Sequence, residues 1–156
     1  MSYEVYAIKY AENNARTRSG SFIFDDAHDT PHDMDFFVWV IRNEERTILV
    51  DTGFDSQEAT NRGRTITHEP ADAVAALGIQ PDAIDQIIIT HLHFDHAGGL
   101  DQFPNAHFHL QEAEMIYATG PCMCHGVLQM PFTVDHVCQM VRRVYDGKVA
   151  YHNGDA

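Results

Sequence analysis

At 156 residues the chain has the length of one domain with a real core and is short for a two-domain enzyme. Ten Lys and Arg against 23 Asp and Glu leave a formal charge of -13, spread rather than blocked, which argues against nucleic acid and anionic membrane surfaces as partners. No secretory-type apolar stretch opens the chain, its longest apolar run (residues 36–41) cannot span a bilayer, and Cys122, Cys124 and Cys138 form no disulfide scaffold, so a cytoplasmic protein is expected.

In chain order, residues 5–10 predict a strand and residues 13–20 a loop or turn. Residues 25–35 carry His28, His32, Asp25, Asp26, Asp29 and Asp33; Pro31 and the irregular spacing favour a solvated acidic loop over a cation site. Residues 36–41 and 47–50 then read as two strands joined by a polar turn through Asn43, Glu44 and Glu45. The continuous apolar content of the first predicts burial on both faces. The second runs into Asp51-Thr52-Gly53, where a carboxylate leaves a buried strand and Gly permits a tight turn. Asp51 is equally well read as a capping residue or as the group that orients a ligand histidine from behind. Residues 70–78, with Pro near the start and Gly at the stop, predict a short helix, followed by a strand over residues 86–90. Helix and then parallel strand is the α/β crossover pattern.

That strand runs directly into His91-Leu92-His93-Phe94-Asp95-His96-Ala97-Gly98-Gly99. Four potential metal ligands in six residues at a strand end make a metal site: three imidazoles and a carboxylate suit Zn, Fe, Mn or Co. His91 and His93, two apart in extended chain, project to one side and can share one ion, while Asp95 and His96 serve a neighbouring position as the chain turns. Gly98 and Gly99 let the backbone pass close to the site.

Downstream, residues 106–110 alternate with period two, which places His107 and His109 on one strand face, most simply facing solvent. Residues 111–117 read as a helix. Val134, Val137, Val141 and Val144 recur at helical spacing and predict a packed amphipathic helix. A strand over residues 148–152 precedes Asn153-Gly154, a turn signal that should lead into a further strand, so the sequence reads as cut off inside a structural unit. Cys122-x-Cys124-His125 with Cys138 is spaced too tightly for the usual structural zinc pair; a buried thiol is the ordinary reading of Cys138. Nothing in the spacing of His125 or His136 recommends either as a ligand.

The motif His91-x-His93-x-Asp95-His96, preceded by Asp51-Thr52-Gly53, resembles the metallo-β-lactamase superfamily. HLHFDHAGGL with ILVDTGF and FPNAHFHLQEAEM is most similar to its N-acyl homoserine lactonase branch. The resemblance extends over most of residues 3–156 but matches only the first half of such an enzyme. It implies an α/β fold, the N-terminal αβ half of an αββα sandwich, as one unit over residues 1–156. It implies two divalent metal ions, Zn before Fe, Mn or Co, with His91 and His93 on the first and Asp95 and His96 on the second. Family members draw a further histidine, a bridging aspartate and a final histidine from their second half, and commonly a tyrosine near the substrate carbonyl; no position here matches them.

The activity so implied is lactone ring opening by a metal-bound hydroxide, with Asp95 as the catalytic group that manages the proton. Met123, Met130 and Phe132 would lie near the substrate entrance. Other ester or thioester hydrolysis is the alternative chemistry, and a non-catalytic half-length metal-binding or interaction protein the rival from another class. The implied partners are a small-molecule lactone and either a second copy or the missing C-terminal half, since a half sandwich exposes faces meant to be covered.

Overall fold

The structure, a computed structural model, describes residues 2–24 and 28–154, so Asp25 and Asp26 of the acidic loop lie outside the described residues. The strands are β1 (Glu4–Asn13), β2 (Met34–Arg42), β3 (Thr47–Val50), β4 (Thr65–Ile66), β5 (Gln86–Ile89), β6 (His107–Gln111) and β7 (Val149–His152). The α-helices are α1 (Ser56–Arg62), α2 (Pro70–Ala75), α3 (Phe94–Ala97), α4 (Glu112–Thr119), α5 (Gly126–Gln129) and α6 (Val134–Tyr145). All seven strands join one sheet in the order β4-β1-β2-β3-β5-β6-β7. The β1, β2, β3 and β4 pairings are antiparallel, and β3, β5, β6 and β7 run parallel to one another. The change from hairpin to crossover follows the chain: four turn residues join β2 to β3, whereas helical segments separate the parallel strands.

The sheet is covered on one side. Tyr10, Val38, Val40, Leu49, Ile87, Ile89, Phe108 and Leu110 alternate inward and form one core with Ala59 of α1, Ala73 and Val74 of α2, and Val137 and Met140 of α6. The other side leaves Val5, Phe37, Trp39 and Ile88 exposed. The expectation that β2 is buried on both faces is therefore corrected: Val38 is fully buried while Trp39 is 43% exposed. Its apolar run marks two apolar faces, of which the described residues cover one.

Helix α1 escaped the sequence reading although its signals are present. Asp55 caps it by accepting the Glu58 N–H at 2.8 Å, and Gly63 ends it at φ 61°. In α6 the valine stripe needs correction: His136, Val137 and Met140 are buried, whereas Val134 and Cys138 are exposed. The helix rests on α3 and on the turn at Leu100–Gln102, and that contact, not the apolar period, selects the buried face. Among the described residues no helix is long and apolar enough to cross a membrane.

Candidate metal centre

Strands β3 and β5 are parallel neighbours with Val50 opposite Ile88, so their C-terminal ends lie side by side and deliver Asp51-Thr52-Gly53 against the histidine segment. Main-chain bonds lock the two: Thr52 N–H donates to His96 O at 2.8 Å, and Gly98 N–H to Gly53 O at 2.7 Å. This approach demands glycine. A Cβ on Gly98 would stand 2.5 Å from the Phe94 carbonyl oxygen and 3.0 Å from that of Gly53. At Gly53, with φ +67°, it would meet Tyr10 Cζ at 2.7 Å. Tyr10, fully buried on β1, donates its hydroxyl to the main-chain oxygen of Asp95 at 3.1 Å and so ties the sheet to α3. Burial first, and then the charge of Asp95, push its phenol well above the usual range, so it remains a donor.

Asp51 is 3% exposed and adopts φ 61°, the one positive φ at a non-glycine position among the described residues. Its Oδ1 accepts the Thr90 N–H at 2.8 Å, and its two oxygens lie 3.0 and 2.9 Å from the Thr90 hydroxyl. His96 Nδ1 stands 2.7 Å from Asp51 Oδ2. A carboxylate has no proton to give, so His96 carries hydrogen on Nδ1, and the neutral ring then has its lone pair on Nε2. The Thr90 hydroxyl spends its one hydrogen on Asp51, and its oxygen is left to accept from His91 Nδ1 at 3.0 Å. His91 thereby keeps its Nε2 lone pair as well. Of the two readings of Asp51, the geometry has it gripping the imidazole of His96.

His91 packs against His93 and His96 with ring centroids 4.4 and 3.8 Å apart. Burial, followed by the neighbouring His96 and His93, holds His91 below the usual imidazole range, and burial does the same to His93. At His96 burial also disfavours the charge, but the hydrogen bond and charge of Asp51, with Asp95 beyond, more than offset it and raise the imidazole. The Asp95 carboxylate, in the first turn of α3, approaches His96 Nε2 to 3.5 Å. Three imidazoles beside a carboxylate, two of them lowered toward the neutral form, have the donor chemistry of a divalent-metal site. Their side chains stand as pairs: among the described residues no group of three or more His, Cys, Asp or Glu closes on a common point.

The other expected donors lie elsewhere. Cys124 and Cys138 are exposed and Cys122 is half-buried, with no metal-holding cluster among the described residues. His136 is buried beneath α3, its Cε1 2.9 Å from a Cβ placed on Gly98. On the open sheet face His109 engages Gln86 Oε1 at 2.7 Å and His152 at 3.0 Å, which corrects the picture of a simply solvated pair. Sequence reading missed Thr90 and Glu114, whose carboxylate accepts the Leu92 N–H at 2.8 Å; Phe132, expected near the substrate entrance, stands with its ring at 86° to that of His93 and centroids 4.8 Å apart. Only Thr90 carried a signal, as the last polar residue before the motif.

A strand-end cluster of histidines and an aspartate on a sheet with helices on one side defines a class, and residues 37–148 match the metallo-beta-lactamase superfamily, to which the chain belongs. Membership implies divalent metal ions. A probable metallo-hydrolase of Mycobacterium tuberculosis is 32% identical over 89 residues, which cover 49% of this chain and 29% of that protein. The N-acyl homoserine lactonase AiiA of Bacillus thuringiensis subsp. kurstaki is 34% identical over 93 residues, or 49% of this chain and 37% of AiiA. Among solved structures, an N-acyl homoserine lactone hydrolase with N-hexanoyl-L-homoserine bound at its catalytic metal centre superposes with a TM-score of 0.70 at 20% identity, over 99% of this chain and 60% of that one. That likeness bears out the αβ fold. The chain spans only part of the length of these relatives.

Proposed function

We propose that this chain is the ligand-bearing αβ half of a cytoplasmic metal-dependent hydrolase that opens lactone rings of the N-acyl homoserine type. The observation that carries the reading is the pinning of His91 and His96 by Thr90 and Asp51 through their Nδ1 atoms, which supports Nε2 as the ligating atom of each neutral ring. His91 and His93 would hold one ion and Asp95 and His96 a second, zinc being the best match to imidazole-rich donors. Bound there, such ions supply the Lewis acidity that activates water and polarises an ester carbonyl. Asp51 resists rotation of His96, Tyr10 fixes the main chain of Asp95, and the Asp95 carboxylate takes the proton to the leaving alkoxide. Both lactonase relatives support the substrate class. The open, mostly apolar cleft of about 440 Å³ lined by Ala118, Met123, Met130, Phe132, Val134 and Val137, with Gln129 as its polar member, borders His93 through Phe132 and suits an aliphatic acyl chain.

The test is hydrolysis of N-hexanoyl homoserine lactone by the zinc-loaded protein, followed by acid release, with Asp95→Asn and His93→Ala as comparisons. Loss of turnover in both is expected. Wild-type-like turnover in either variant, or a thioester hydrolysed in preference to the lactone, overturns the assignment. The open sheet face with Val5, Phe37, Trp39 and Ile88 supports a companion reading: the chain associates through that face with a second αβ layer.

A further inference from the structure

Arg62, in the last turn of α1, makes an unusual set of contacts for a surface helix. Its Nε pairs with Glu58 Oε1 one turn back. Nη1 donates to Met130 O at 3.0 Å, and Nη2 to Phe132 O at 3.1 Å and Thr133 Oγ1 at 2.9 Å. The Thr133 hydroxyl donates in turn to Glu58 Oε1 at 2.6 Å. The guanidinium carbon lies 3.9 Å from the centroid of the Phe94 ring, at the start of α3. On the far side of the same segment, Pro131 O accepts the Phe94 N–H at 2.9 Å. One planar cation thus ties the connection between α5 and α6 to the metal-motif helix, and Phe132, carried by that connection, walls the imidazole of His93.

We propose that Arg62 is a positioning residue for His93: its fork holds residues 130–133 so that Phe132 stands against the imidazole and fixes its rotamer. Calling His93 a metal ligand rests on the function proposed above; the positioning itself does not. A lysine would preserve the charge opposite Glu58 but, as a compact ammonium, would not serve two carbonyls and a hydroxyl while stacking on Phe94. A purely structural ion pair would survive that exchange.

The experiment compares wild type, Arg62→Lys, Arg62→Met, Phe132→Leu and, as a destabilised control far from the segment, Ile84→Val in the buried core. Three quantities are read: the imidazole C–H proton shifts of His93, which sense the Phe132 ring; amide exchange at Phe94; and zinc affinity by competition with a chelating dye. Expected are displaced His93 shifts in both Arg62 variants and in Phe132→Leu. Phe94 exchange should be roughly tenfold faster in the Arg62 variants only, and zinc should bind about 10–100-fold more weakly, with Ile84→Val unchanged in all three. Wild-type shifts and Phe94 protection in Arg62→Lys overturn the proposal, as does an equal response in Ile84→Val. If wild type binds no zinc while the shifts still follow Arg62, the positioning stands and the metal reading of His93 fails.

Discussion

Asp51→Asn isolates what the buried carboxylate does. Asparagine tolerates the φ of 61° at this position, so the backbone is preserved. Its carbonyl oxygen can replace Oδ1 and still accept the Thr90 N–H, which now stands at 2.8 Å. Its amide nitrogen, in place of Oδ2, then faces His96 Nδ1, at 2.7 Å in the native chain. Two donors cannot share that gap, so His96 must move its hydrogen to Nε2 and accept at Nδ1, which withdraws the lone pair from the site. Replacing one charge-assisted hydrogen bond by a neutral one costs about 1–2 kcal/mol of stability. The withdrawn lone pair weakens metal binding by roughly 10–100-fold. Long-range proton–nitrogen spectra at mildly alkaline pH report which ring nitrogen bears hydrogen, urea unfolding gives the stability loss, and zinc titration the affinity. A variant whose His96 keeps hydrogen on Nδ1, with native zinc affinity, would refute the tautomer argument whatever its stability.

Other perturbations probe the support of the site. Gly98→Ala drives a methyl group to 2.5 Å from the Phe94 oxygen and should destabilise by at least about 1–3 kcal/mol in urea unfolding; an unchanged midpoint would show that the contact between α3 and Gly53 is loose. Tyr10→Phe removes the bond to Asp95 O and should cost about 0.5–1.5 kcal/mol without altering secondary structure by circular dichroism. Burial works to raise the Glu58 carboxyl, but bonds from Thr133 and Arg62 outweigh it and hold it below its ordinary 4.5. The stabilisation it contributes is therefore complete above that value and lost as pH falls through the lower folded value, so wild type should lose its advantage over Glu58→Gln on acidification. A difference independent of pH would contradict this. Trp39, the single tryptophan and 43% exposed, should emit at long wavelength when dilute and shift to the blue as concentration rises, with Trp39→Glu abolishing association in sedimentation velocity.

The parts of the site that lie within one continuous segment were legible from residues alone. His91, His93, Asp95 and His96 share a strand end because a six-residue span cannot separate them, and Gly98 announced a close approach that the Gly53 carbonyl confirms. Asp51 remained ambiguous because its role depends on which strand lies beside β3; the pairing of Val50 with Ile88 decided it. Arg62 carried no legible function, and Phe132 only an expected place near the substrate entrance, since they meet Phe94 and His93 only through the packing of α1 and of the connection into α6. The same limit explains α6, where the apolar period marked a helix and the contact with α3 chose a face rotated from it.

By itself the sequence determined local chemistry: strand and helix periods, and a His-x-His-x-Asp-His motif dense enough to point to a superfamily. Those features arise from neighbours along the chain, whose geometry the backbone constrains directly. Tertiary structure alone decided which groups face the imidazole nitrogens, which side of the sheet is covered, and which distant side chains brace the histidine segment. Each of these depends on groups brought together across long stretches of chain, where distance and direction are set by packing rather than by sequence spacing.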